Sequence, residues 1–187
     1  YWAGQTVLPD WLKHFIVNHR EGLYKLSKRR KIPVRRIGDL NHQSVAVFLK
    51  EEKVDVLVIR VSQILKSSIL STPVLGTLCI HSSLLPSYKG IAGEFHSRLD
   101  GNRFIGSSLF EVTEKLDAGA VVSQAAFEVD DTWSIRKLIF ENNGLGRTVI
   151  SKYLTEIASA RSIVVRGAIA ETHESTRTWP SRADAKR

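Results

Sequence analysis

One histidine and one aspartate in this chain have positions that could support proton-transfer chemistry. His81 follows the short apolar run 77–80 and precedes a polar loop rich in turn-forming residues. Asp117 lies in the tight turn 114–119, between two further apolar stretches. Proteins of the α/β class usually place their sites in loops at strand ends. We therefore expect the imidazole and the carboxylate to face each other across a cleft.

Each of these residues also has an ordinary structural explanation. A lone histidine at a strand end is often only a hydrogen-bonded loop residue. An aspartate before Ala-Gly is often a turn former, because its side chain bonds its own backbone. Taken together, and with the Leu-Leu-Pro sequence at 84–86 between them, the two residues favour a catalytic interpretation.

The elements that must position this pair are predicted from hydrophobic periodicity. Apolar, β-branched segments predict strands and 3.6-residue periodicity predicts helices. The predicted strands are 32–37, 54–59, 77–80, 106–113 and 120–129, and the predicted helices are 43–50, 63–70, 92–99 and 132–157. Their alternation predicts an α/β fold with a Rossmann-like, mostly parallel sheet flanked by helices and an antiparallel hairpin at one edge. We also predict a helix over 10–30 and a small strand at 163–170.

Composition limits the class of protein. The chain has 187 residues, of which 43% are hydrophobic and 25% charged, as expected for a folded globular domain. No apolar run approaches the length of a membrane span, so no membrane partner is expected. The single cysteine, Cys79, excludes an internal disulfide and suits a reducing cytoplasm.

The net charge of +8 comes from 27 Lys and Arg against 19 Asp and Glu. No aromatic interleaving or nucleic-acid motif accompanies the basic clusters, so we do not expect nucleic acid as a partner. The charge permits a polyanionic substrate. We predict a domain over 1–160 followed by a basic extension over 161–187. Because the sequence contains no Met, we expect a fragment or a processed chain.

Four motifs carry a resemblance to a known family. They are the run His81–Gly90 (HSSLLPSYKG), then DGN at 100–102, GSS at 106–108 and LDAG at 116–119. In this order they resemble the folate-dependent formyltransferases, a family that includes glycinamide ribonucleotide transformylase, methionyl-tRNA formyltransferase, sugar N-formyltransferases and formyltetrahydrofolate hydrolase. The similarity covers roughly residues 33 to 155. It implies a transferase of one-carbon groups, without a metal, whose partners are an amine acceptor and the co-substrate 10-formyltetrahydrofolate; it leaves a homodimer open.

The resemblance also implies which residues form the site. His81 and Asp117 would be catalytic, with Cys79 at a third catalytic position. The folate would bind two segments: Arg60, Ser62, Gln63, Ile64 and Leu65 in one, and Glu114, Lys115 and Leu116 in the other.

Three departures from the family pattern leave alternatives open. Cys79 stands where the family has Asn, so a strong oxyanion donor is replaced by a weak one. Phe110 stands where the family often has His, and the first strand of the family fold is not recognisable. The alternatives are an impaired folate- or nucleotide-binding module, or a hydrolase that uses water as the acceptor. A nucleophilic role for Cys79 is disfavoured, because an apolar strand raises the pKa of a thiol.

Overall fold

The computed structural model describes residues 25, 27–61, 63–160, 176–181 and 184. The chain divides into two compact units, Tyr1–His42 and Gln43–Arg187. In the described part of the first unit, residues 27–30 are helical and the following residues are irregular. The division into 1–160 and 161–187 stays a prediction.

The strand predicted over 32–37 is wrong. These residues form no strand, and Ile32 and Val34 are 55% and 58% exposed. A β-branched run is stable as a strand only when its side chains are buried and its backbone pairs with a neighbour. Neither condition is met here, and Pro33 removes one backbone donor as well.

The second unit contains four helices and four strands among its described residues. In chain order they are α1 (Gln43–Glu51), β1 (Val56–Ile59), α2 (Ser67–Leu70), β2 (Gly76–His81), α3 (Gly93–Leu99), β3 (Phe104–Glu111), β4 (Val121–Glu128) and α4 (Ile135–Ala160). The helices predicted at 43–50, 63–70, 92–99 and 132–157 are all present, although α2 begins four residues later than predicted. The helix predicted over 10–30 lies mostly, and the strand over 163–170 entirely, outside the described residues.

The strands form one open sheet in the order β1-β2-β3-β4. β1 and β2 are parallel, with Val56 opposite Gly76, whereas β2–β3 and β3–β4 are antiparallel. The predicted α/β class with an antiparallel hairpin at one edge is confirmed. The described part of the sheet is mixed, since one of its three pairings is parallel.

The core lies between one face of this sheet and α4. Leu78, Leu109 and Val122 from three adjacent strands are fully buried against Val149 and Tyr153 of the helix. Burying such side chains is the main favourable contribution to folding, at roughly 25 cal/mol per Å² of apolar surface. α4 therefore covers one face, and the opposite face of β2 and β3 carries the polar side chains described below.

Gly146 explains why α4 can lie so close to the sheet. A Cβ at this position would be 3.2 Å from Ile80 and 3.3 Å from the Ser107 hydroxyl. Because contacts this short are rare for real Cβ atoms, a larger residue would push the helix outward. The helix is continuous through Gly144 and Gly146.

No helix in the described ranges combines the length and the apolar character that crossing a bilayer requires.

Candidate functional site

His81 is the last residue of β2 and is almost completely buried. Its ring contacts Phe110 edge-on, with 6.4 Å between the ring centroids. The Nε2 atom is 2.9 Å from the Tyr88 carbonyl oxygen. Because a carbonyl can only accept, Nε2 is the donor in this bond, and Nδ1 faces the other way.

Asp117 approaches the Nδ1 side of this histidine. Its Oδ2 atom lies 3.7 Å from His81 Nδ1 and accepts a 2.7 Å hydrogen bond from the Gly90 N–H. The two side chains are only 10% and 11% exposed. The 3.7 Å separation is longer than a direct hydrogen bond, so the two groups are close enough to interact electrostatically but do not share a hydrogen bond.

The path that brings Asp117 to His81 differs from the expected one. Since β3 is antiparallel to β2, its last residue, Glu111, pairs with Leu78 and not with the end of β2. The ends of the two strands therefore do not meet. The connection 112–120 folds back and carries Asp117 to the histidine, with a left-handed backbone at Asp117 (φ 45°).

Gly119 makes this folded-back connection sterically possible. A Cβ there would overlap the carbonyl of Glu111. Main chain therefore packs directly on main chain at the base of the connection, and only glycine leaves the space for it.

The loop after His81 is held by buried hydroxyl groups. Ser108 Oγ donates to the Ser83 carbonyl at 2.6 Å and accepts the Leu85 N–H at 2.8 Å. Ser83 Oγ donates to the Ser87 carbonyl at 2.9 Å. Charge-neutral bonds of this kind contribute about 1 kcal/mol each, and more is lost when a buried partner is left unpaired. The loop that binds His81 and Asp117 is thus fixed to β3.

Cys79 lies two residues before His81, so both side chains are on the sheet face opposite α4. Burial, together with the nearby Asp117 carboxylate, raises the pKa of its thiol to about 12, although the Arg60 guanidinium acts in the opposite direction. The thiol is therefore neutral at physiological pH, and its one described hydrogen bond is a 3.7 Å contact with the Ile80 carbonyl. This state does not suit a nucleophile.

The second of the two segments expected to bind folate contacts the start of α2, two residues after the first segment ends. Glu114 Oε1 accepts the N–H of Ser67 at 2.8 Å, which joins the turn after β3 to the first residue of α2. Ile64 and Leu116 are 58% and 48% exposed, while Leu65 is buried.

The other residues expected to bind folate are described by their exposure. Arg60 and Lys115 are exposed and Gln63 is half-buried. Ser62 lies outside the described residues. The assignment of these positions to folate stays a prediction.

A second polar cluster, next to the site, was not identified from the sequence. Asn142 of α4 donates to Glu94 Oε1 at 3.1 Å and to the Ser82 carbonyl at 3.2 Å, and it accepts from Ser107 Oγ at 2.8 Å. Burial raises the pKa of Glu94 above its usual range. This cluster ties α4 to the residue that follows His81. A polar Asn in the apolar stripe of α4 was the available sequence signal.

No group of three or more His, Cys, Asp or Glu side chains with the geometry of a metal site occurs among the described residues.

These features define an α/β protein with a buried imidazole–carboxylate pair beside the carboxyl end of two parallel strands. The family model described as formyl transferase matches residues 25–150 of the chain. The chain therefore belongs to the formyl transferase family.

Individual relatives agree with this assignment. The methionyl-tRNA formyltransferase of Staphylococcus epidermidis is 28% identical over 134 residues, which are 71% of this chain and 43% of that protein. The chain thus spans less than half of the length of this curated relative.

Solved structures share the fold. A formyltetrahydrofolate deformylase from Pseudomonas syringae pv. tomato superposes with a TM-score of 0.69 and 25% identity, over 78% of this chain and 51% of that one. A phosphoribosylglycinamide formyltransferase from Bacillus halodurans gives a TM-score of 0.65 at 19% identity, over 74% and 76% of the two chains.

Proposed function

We propose that this protein transfers the formyl group of 10-formyltetrahydrofolate to the amine of a small or nucleotide-linked acceptor. The observation that carries the proposal is the buried His81–Asp117 pair, with 3.7 Å between Nδ1 and Oδ2. The membership of this chain in the formyl transferase family supports the reaction class. The single cysteine suits a cytoplasmic setting.

The reaction requires two proton movements. The acceptor amine attacks the formyl carbon and forms a tetrahedral intermediate, and the C–N10 bond of the folate then breaks. The amine loses one proton, and the departing N10 gains one. Asp117 is suited to accept the first, directly or through water, and His81 to donate to the oxyanion or to pass a proton onward.

The anchoring of each group suits these roles. The Tyr88 carbonyl holds Nε2 of His81, so Nδ1 is the nitrogen that can exchange a proton with Asp117. The Gly90 N–H fixes one oxygen of Asp117 and leaves the other able to accept a proton. Both groups are nearly buried, where electrostatic interactions are less screened than in water.

The flat folate ring is proposed to bind beside this pair, between residues 60–65 and the turn 114–116, which Glu114 fixes to Ser67 at the start of α2. Exposed apolar side chains at Ile64 and Leu116 suit contact with a ring, and nearby backbone groups suit its polar edge. The exposed guanidinium of Arg60 suits an anionic part of a substrate.

A direct assay tests the proposal. The protein is mixed with 10-formyltetrahydrofolate and a panel of amines, and the release of tetrahydrofolate is measured. Asp117→Asn and His81→Ala should each lower the rate by about 10²–10⁴-fold, the usual contribution of a general acid or base. Asp131→Asn, at an exposed carboxylate, is the matched control and should leave the rate unchanged.

Two other outcomes would identify the alternatives. Formate release without any added amine would show a hydrolase, the activity named for the Pseudomonas syringae structure above. Folate binding without turnover would show a binding module, as the replacement of the family Asn by Cys79 permits. Release that does not depend on His81 or Asp117 would contradict the proposed mechanism.

A further inference from the structure

Residues 176–178, here called the C-terminal strap, pair with the loop that follows His81. Arg177 N–H donates to the Lys89 carbonyl at 2.7 Å, and Ile91 N–H donates to the Arg177 carbonyl at 3.2 Å. Gly90 and Arg177 thereby form a parallel β-bridge. The strap adds an isolated β-bridge to this loop, although its residues follow α4 in the chain.

Side-chain contacts also hold the strap. Arg177 Nη2 forms a 3.1 Å ion pair with Asp100, and its guanidinium lies 5.4 Å from the centre of the Tyr88 ring. Nε2 of His96, a buried residue, donates to the Thr178 carbonyl at 2.8 Å.

Gly90 permits the two main chains to approach this closely. A Cβ at Gly90 would overlap the Arg177 carbonyl, and the residue has a φ of +100°, which favours glycine.

The bridge fixes the direction in which Gly90 donates. In a parallel bridge, one residue bonds the neighbours on both sides of its partner, and the partner's own N–H and C=O point the opposite way. Arg177 bonds Lys89 and Ile91, so the Gly90 N–H points away from the strap. That N–H is the one that binds Asp117 Oδ2 at 2.7 Å.

The same short loop holds the histidine. The Tyr88 carbonyl that accepts from His81 Nε2 lies one peptide before the bonded Lys89 carbonyl. The strap therefore constrains the anchors of both His81 and Asp117.

We propose that the C-terminal strap positions the catalytic pair, with Arg177 as the positioning residue that acts through its main chain. This inference rests on the proposed function for its catalytic meaning. The orientation of the Gly90 N–H can be tested without it.

The decisive variant is Arg177→Pro, which removes the N–H that bonds Lys89. The comparison is Arg177→Ala, which keeps that N–H and removes only the side-chain contacts. A hydrogen bond that contributes about 1–1.5 kcal/mol net corresponds to a change of about five- to twelvefold. Arg177→Pro should lower kcat about tenfold with little change in the KM for 10-formyltetrahydrofolate, and Arg177→Ala should lower it less than about threefold.

Amide hydrogen exchange provides the readout that does not need activity. In Arg177→Pro the Gly90 amide should exchange about tenfold faster, while the Leu78 amide in the core strand is unchanged. Ile157→Val, a core substitution in α4, is the control for general destabilisation. It should lower the unfolding midpoint and leave both kcat and Gly90 exchange as in the wild type.

Each outcome decides one question. Wild-type kcat and Gly90 exchange in a folded Arg177→Pro protein would overturn the role of the strap. An inactive wild type would refute the proposed function, and Gly90 exchange would still decide whether the strap orients this amide. If Arg177→Pro does not fold, the double variant Arg177→Ala, His96→Phe removes both side-chain attachments and should produce the same two changes.

Discussion

Replacing Cys79 by Asn should accelerate formyl transfer. An amide N–H is a strong donor to an oxyanion, whereas a thiol donates weakly. Loss of one oxyanion donor typically costs about 10²–10³-fold in kcat. Cys79 shares a sheet face with His81, so a side-chain amide there would lie next to the proposed catalytic pair.

The structure sets the expected size of the gain. Phe110 is directly opposite Cys79 in the strand pairing, and Asn is larger than Cys in a half-buried position. Extra atoms in a packed site usually force side chains off their preferred rotamers, at a cost of about 1–3 kcal/mol, so the amide would be less well placed and part of the benefit would be lost. We expect Cys79→Asn to raise kcat by about 10²-fold, at the lower end of the usual range.

The assay is the initial rate of tetrahydrofolate release at saturating 10-formyltetrahydrofolate. Cys79→Ser, which places a hydroxyl donor in nearly the same volume, should give a smaller gain. Cys79→Ala should leave the rate unchanged, because a thiol with a pKa of about 12 neither attacks nor donates strongly.

Two results would refute this reasoning. A large loss in Cys79→Ala would mean that the thiol takes part in the reaction. No gain in Cys79→Asn, even when Phe110→Leu provides space, would mean that the oxyanion does not form beside this residue.

Three further predictions concern the buried groups. Because burial raises the Cys79 thiol pKa from 9.0 to about 12, iodoacetamide should alkylate it about 10³-fold more slowly at pH 8 than a free thiol, and labelling at the free-thiol rate would contradict the burial. Burial also raises the pKa of Glu94 in the folded protein. As pH rises, the Glu94 carboxyl group therefore ionises in the unfolded chain before it ionises in the folded protein, and wild-type stability should fall above pH 4.5. Glu94→Gln should therefore gain stability relative to wild type from pH 4.5 upward, and parallel urea-unfolding midpoints for the two proteins across this range would rule this out. Gly119→Ala should lower the unfolding free energy by about 1–3 kcal/mol, because its Cβ meets the Glu111 carbonyl, and an unchanged midpoint would show that the connection 112–120 can shift.

An element could be predicted from the sequence when it is determined by residues that are close together in the chain. The helix α4 and the strand ending at His81 follow from residues close together in the chain, and both were predicted correctly. The strand at 32–37 was wrong because a β-branched run becomes a strand only when a partner buries it. The polar cluster on α4 could not be predicted, because the apolar periodicity of the helix does not show that Asn142 forms a hydrogen bond with Glu94.

The sequence by itself determined the chemistry that is available: one imidazole and one carboxylate, in loops that resemble those of one enzyme family. Only the tertiary structure decided that these groups come within 3.7 Å, since the connection 112–120 reverses over the sheet face. It also decided that the Gly90 N–H binds Asp117 and that Arg177 binds the neighbours of Gly90. These contacts join residues far apart in the chain, and their geometry follows from strand direction and loop packing, which local periodicity does not encode.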